Sequence, residues 1–146
     1  MFVASNGGHL AQLLQLEPWW RDHQRTWVTF DKADARSTLT GETVVYAHHP
    51  TTRHVGNLLR NAALARRVVA EHRPDVVIST GAGVALPFFV AARARGVPTV
   101  YLEVYDRIDS TTMTGRLCRP FSTVFCVQWP DQQSLYDGSE LVGTVL

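Results

Sequence analysis

Lysine is almost missing from this chain: Lys32 stands alone against thirteen arginines. Charge is sparse altogether, 18% of residues with a formal net of +1, so the overall balance calls for no nucleic acid or other polyanion. Cysteine is limited to Cys118 and Cys126, in no metal or redox spacing, which reads as two reduced, inert thiols in a reducing compartment. No apolar run approaches the ~20 residues that span a bilayer. The first residues read as a strand rather than a leader, so any membrane contact is expected to be peripheral. Low-complexity tracts, internal repeats and linkers are also lacking. The 146 residues, 45% of them hydrophobic, fit one folded domain over 1–146.

What is present alternates in period. Residues 2–5, 26–30, 43–47, 75–79, 98–102 and 122–127 are β-branched and aromatic runs, continuous rather than alternating, as expected of strands buried on both faces. Helical segments are expected between them at 8–16, 32–39, 54–72, 84–95, 112–118 and near 131–136. This succession predicts an α/β fold, a single Rossmann-like doubly wound parallel sheet. The stretch 141–146 is also strand-like; in a complete domain a closing helix is expected after it, so the terminus is expected to be truncated or to cross to another subunit.

In such a sheet ligands bind at the carboxyl ends of the strands. Two turns expected there are glycine-rich: Ser5-Asn6-Gly7-Gly8-His9 and Thr80-Gly81-Ala82-Gly83. Strands one and four are neighbours in a doubly wound order, so both turns should face one crevice. Helix amino termini with free N–H groups suit a phosphate or diphosphate there, although glycine also serves plain tight turning. No Gly-Lys-Ser/Thr follows either turn, which excludes a P-loop. A dinucleotide reading of Gly81-x-Gly83 with Glu103 lacks the third glycine, where Leu86 stands.

His9, at a helix start, is placed to accept a proton or bond an oxygen when neutral, or simply to bond backbone. Glu103, ending a strand, could accept sugar hydroxyls, act as a base, or pair with Arg107. His48, His49 and His54 have no accompanying ligand at metal spacing, so no metal site is expected. Between Thr51 and Arg73 five arginines face one acid, Glu71. On the expected helix 54–72, Val55, Leu58, Leu59, Ala62 and Val69 form the predicted core face. Arg53, Arg60 and Arg67 recur on the other side with Leu64 and Val68 among them, a basic face with apolar insertions suited to an anionic membrane surface. The pairs Trp19-Trp20 and Phe88-Phe89 are expected to pack in the core unless exposed near that face.

Taken in order, SNGGH, TWVTFDKADAR, AHHPTTRH, PDVVISTGAGVALPFF and TVYLEVYDRID resemble, over essentially the whole chain, the acceptor-side subunits of split GT-B glycosyltransferases. These are bacterial exopolysaccharide and capsule proteins similar to the membrane-recruiting subunit of the dolichol-linked N-acetylglucosaminyltransferase. The resemblance implies the amino-terminal half of a GT-B enzyme, active only with a separate donor-binding subunit that holds the nucleotide sugar. It implies inverting transfer to a polyprenyl-diphosphate-linked sugar, without a cofactor, at the cytoplasmic face of the plasma membrane. Its site would comprise His9 and Glu103 as catalytic residues and Ser5, Asn6, Gly7, Gly8, Gly81, Ala82, Gly83 and Arg107 around the acceptor diphosphate. The membrane would be met by Arg53, Arg60, Leu64 and Arg67. The rival readings are a non-catalytic scaffold for the partner and a dinucleotide-binding enzyme.

Overall fold

The computed structural model describes residues 1–51 and 53–145; Leu146, the last residue of the strand-like end, lies outside them. Among these residues the strands are β1 (Phe2–Val3), β2 (Trp27–Phe30), β3 (Val44–Ala47), β4 (Val77–Ser79), β5 (Thr99–Leu102), β6 (Val124–Val127) and β7 (Glu140–Leu141). They form one sheet in the order β3-β2-β1-β4-β5-β6-β7, and every pairing is parallel. The helices are α1 (Gly8–Gln15), α2 (Glu17–Trp20), α3 (Ala33–Thr38), α4 (Val55–His72), α5 (Ala85–Arg93), α6 (Met113–Cys118) and α7 (Pro130–Leu135).

Two apolar layers cover the sheet, as a doubly wound fold requires. On one face Leu10 and Leu13 of α1 and Trp20 of α2 pack with Phe2, Trp27 and Ile78. On the other, Leu64, Ala65, Val68 and Val69 of α4 and Phe88 and Phe89 of α5 pack with Val3, Val28, Val77 and Tyr101. The phenylalanine pair is wholly internal. The tryptophan pair divides: Trp20 is buried and donates through Nε1 to the Leu13 carbonyl at 2.9 Å, while Trp19 is half exposed against His23 at the amino-terminal end of the sheet.

Helix α4 is rotated from the expected orientation. Leu64 and Val68 are buried, whereas Val55, Leu58 and Leu59 are exposed. The cause is polar. Asn61 accepts the His48 N–H through Oδ1 at 2.8 Å and donates to the His48 carbonyl at 2.9 Å, and Asn57 donates to the Pro50 carbonyl at 2.9 Å. Both asparagines are buried to satisfy the backbone of the loop after β3, a demand on buried polar groups that periodicity of apolar residues cannot register. Facing them inward brings Leu64, Ala65, Val68 and Val69 onto the core and turns Val55 and Leu59 outward. Leu64 is therefore not a surface residue and cannot touch a membrane. Arg53, Arg60 and Arg67 do remain exposed.

This orientation predicts a contrast between two neighbouring leucines. Leu64→Ala should cost about 2–4 kcal/mol of stability in urea unfolding, and Leu59→Ala no more than about 0.5 kcal/mol. The reverse ranking would contradict the assignment of the buried face.

Candidate functional site: a crevice between two glycine turns

β1 and β4 pair directly, Phe2 with Ile78 and Val3 with Ser79, so the turns that follow them lie side by side at the carboxyl edge of the sheet. They are lashed together by a reciprocal pair. His9 Nδ1 lies 2.8 Å from the Thr80 carbonyl, and Thr80 Oγ1 donates to the His9 carbonyl at 2.7 Å. A carbonyl only accepts, so Nδ1 carries the proton. In the neutral ring Nε2 is then left as an unprotonated acceptor.

The second turn is shaped to admit the imidazole. Gly81 has φ +115°, and a Cβ there would lie 2.8 Å from the Tyr101 hydroxyl and 3.2 Å from the His9 ring. Ala82 follows at φ +64°, a left-handed conformation that costs a non-glycine residue on the order of 1 kcal/mol and recurs where a binding loop is held rigidly. Gly83 approaches the loop after β3 so closely that a Cβ would sit 3.0 Å from Thr51.

The two turns differ in which N–H groups they leave free. The Gly7 N–H is taken by Asp34 Oδ2 at 3.0 Å, and Asn6 Nδ2 donates to both oxygens of the same carboxylate at 3.2 and 3.3 Å. The Gly81 N–H is taken by Ser79 Oγ at 3.0 Å. The donors open to an anion are instead the first-turn N–H groups of α1, from Gly8 onward, whereas at the start of α5 the Ala85 N–H is spent on the Ala82 carbonyl at 2.9 Å and Pro87 has none, which leaves to the second turn only the N–H groups ahead of that helix. Ser5 bonds locally, its hydroxyl 3.3 Å from the Asn6 carbonyl.

Glu103 departs from expectation. Its side chain is completely buried, and its carboxylate accepts from Thr112 Oγ1 at 3.0 and 3.1 Å, from the Val104 N–H at 3.0 Å and from the Tyr136 hydroxyl. It binds Tyr136 and the cap of α6 rather than Arg107, and no oxygen faces the crevice. The strand-end position was legible, but the burial arises from partners nine and thirty-three residues away in sequence. Burial first, and then Glu103, push the Tyr136 phenol upward and the Cys118 thiol up to about 12, which makes that cysteine unreactive. Glu103 is a structural pin and not a base in the crevice. Arg107 is exposed, and its carbonyl accepts from the buried Gln132 side chain at 3.1 Å.

Behind Glu103 runs a chain of buried amides that sequence reasoning missed. Gln128 Nε2 donates to Gln12 Oε1 of α1 at 3.0 Å and to the Glu103 carbonyl at 2.8 Å, while its Oε1 accepts the Val145 N–H at 2.7 Å. Thr80 and Asp34 were missed as well. Thr80 directly precedes a glycine turn and Asp34 sits in the first turn of α3, which were the available signals. Of the histidines after β3, His54 spends Nδ1 as the cap of α4, accepting the Asn57 N–H at 3.0 Å. Among the described residues no three potential metal ligands come together.

A doubly wound parallel sheet with two glycine-rich turns meeting at its switch point is the kind that makes one half of a GT-B glycosyltransferase. In agreement, the fold superposes on the crystal structure of Acinetobacter baumannii MurG with a TM-score of 0.79 at 19% identity, over 98% of this chain and 44% of that one. The chain belongs to the family described as oligosaccharide biosynthesis protein Alg14 like, which it matches over residues 1–145. It is similar to the UDP-N-acetylglucosamine transferase subunit alg14 of Schizosaccharomyces pombe, 32% identical over 49% of this chain and 37% of that protein. It is also similar to a pyrophosphoryl-undecaprenol N-acetylglucosamine transferase of Geobacillus kaustophilus, 26% identical over 73% of this chain and 29% of that protein. The chain thus spans about a third of the length of these two relatives.

Asp34 gives the site a pH signature. Desolvation works against its charge, but the Asn6 amide and the N–H groups of Gly7 and Ala35 prevail and hold its carboxyl below the usual range. A depressed folded value stabilises fully above the ordinary aspartate value of about 3.9 and is lost as pH falls through the lower folded one. The Gly7 amide resonance should therefore titrate with a midpoint below ~3.9 and lose that titration in Asp34→Asn; a midpoint at or above it would contradict the clamp.

Proposed function

We infer that this chain is the acceptor-binding, membrane-recruited subunit of a two-subunit glycosyltransferase of polysaccharide biosynthesis. It takes a polyprenyl-diphosphate-linked sugar as acceptor, and the nucleotide sugar is bound by a separate partner. The observation that carries this reading is His9, held by Thr80 through Nδ1 between two helix amino termini, so that Nε2 is the nitrogen left to face a ligand. An anion and a hydroxyl could be received there together. The names of the S. pombe and Geobacillus relatives, one a transferase subunit and one acting on a pyrophosphoryl-undecaprenol, support the same assignment.

In the mechanism, the diphosphate lies on the free N–H groups at the start of α1 and faces the turn that leads into α5, where both helix dipoles favour negative charge. The acceptor hydroxyl bonds to His9 Nε2. Its oxygen attacks the anomeric carbon of the donor sugar from the face opposite the nucleotide, the C–O bond to the nucleotide diphosphate breaks, and the hydroxyl proton passes to Nε2. The departing diphosphate is met by the partner's donors. Inversion at the anomeric carbon follows from a single displacement. With Glu103 enclosed, His9 is the one expected base that the crevice retains.

Recruitment to an anionic membrane, at the cytoplasmic face and without penetration, would use the exposed side of α4. There Arg60 and Arg67 are exposed along the helix, Arg53 is exposed just before it, and Leu59 is 67% exposed. Among the described residues no helix is long and apolar enough to cross a bilayer.

The test uses the co-expressed pair with acceptor in anionic vesicles. His9→Ala should lower transfer by about 10²–10⁴-fold with the complex intact. In the same preparation, Arg60→Glu with Arg67→Glu should reduce sedimentation with the vesicles. Full transfer by an intact His9→Ala complex would leave only the scaffold reading, and unchanged sedimentation would exclude this membrane face.

A further inference from the structure

The turn after β4 opens on its outer side into an apolar groove of about 480 Å³, between the beginnings of α4, α5 and α6. That volume falls within the range of roughly 300–1,000 Å³ typical of small-molecule sites. Val55 and Leu58 of α4, Leu86 of α5, and Met113 and Leu117 of α6 form its walls. Met113 is 77% exposed, Val55 70% and Leu117 50%, a contiguous apolar surface that the fold itself leaves without a partner. Such surfaces mark binding sites.

The groove has a polar inner end, made by Thr51, Arg53 and His54 together with Gly83. Gly83 belongs both to the glycine turn and to the groove, and a side chain at this junction would press on Thr51 at 3.0 Å. The apolar groove therefore begins at the last residue of the glycine turn. The arrangement fits a ligand that is doubly anionic at one end and hydrocarbon beyond it.

We propose that this groove is the subsite for the first isoprene units of a polyprenyl diphosphate, and that α6 together with α4 reads the lipid part of the acceptor. The assignment rests on the acceptor reading above and adds the lipid to it. A flat bilayer surface would call for neither the cleft nor its junction with Gly83. An isoprenoid chain leaving a diphosphate on the turn has to follow this path or turn out into solvent.

The experiment is calorimetric titration of the full chain, free of vesicles and below ligand aggregation, with inorganic pyrophosphate and with dimethylallyl, geranyl and farnesyl diphosphates. Each added isoprene should tighten binding about tenfold or more while it enters the groove, because its five carbons leave water together, and the gain should level off once the groove is full. Met113→Gln with Leu117→Gln, both exposed positions that leave the core intact, should abolish the dependence on chain length while pyrophosphate still binds. If farnesyl diphosphate binds no more tightly than pyrophosphate, or if its advantage survives the double substitution, the groove assignment is overturned and the acceptor reading stands. If none of the diphosphates binds, both fall. A gain that grows without levelling off would identify nonspecific partition and also overturn the groove.

Discussion

The arrangement of the crevice depends on two hydrogen bonds between residues seventy-one apart in sequence: His9 Nδ1 to the Thr80 carbonyl, and Thr80 Oγ1 to the His9 carbonyl. Each closes a polar group that the turn would otherwise leave open, and each fixes the other's geometry. They are possible because β1 and β4 are hydrogen-bonded neighbours, which brings the turn after each strand to the same edge. Gly81 then makes room for the ring, and Tyr101 closes the space behind it. A histidine held in one tautomer at that point is a chemical consequence of topology.

The carboxyl end of the sheet is also unusually rich in buried polar groups. Glu103, Gln12, Gln128 and Gln132 are all buried, and they bond to one another and to neighbouring backbone. Removing one member would strand another at a cost of about 1–3 kcal/mol. Such a network costs more to disturb than an apolar core and specifies one arrangement of α1, the loop after β5 and α6. The crevice therefore has a stiff floor.

Much of the fold was legible because continuous β-branched runs alternate with longer amphipathic ones, a pattern that parallel sheets alone satisfy well. The convergence of Gly7-Gly8-His9 with Gly81-Ala82-Gly83 followed from strand order. Three features did not follow. Helix α4 turns its asparagines inward because they close the backbone around His48 and Pro50, a loop whose path the sequence does not reveal. Glu103 looked available at a strand end but is enclosed by Thr112 and Tyr136, contacts of long sequence separation. The Gly7 N–H, counted as an anion donor by its place in the turn, belongs to Asp34 across the neighbouring strand. In each case a polar group found a partner by tertiary folding that local pattern could not name.

The central claim is that His9 presents an unprotonated Nε2 to a diphosphate-linked acceptor in this crevice. The most direct measurement is ¹⁵N NMR of the His9 imidazole in the full chain, at neutral pH, with and without a short-chain polyprenyl-diphosphate sugar. The account predicts a proton on Nδ1 and an acceptor-type Nε2 in the free chain, with the Nε2 signal shifting as it takes a hydrogen bond from the added acceptor. A proton on Nε2 in the free chain, or a ring untouched by saturating acceptor, would contradict it.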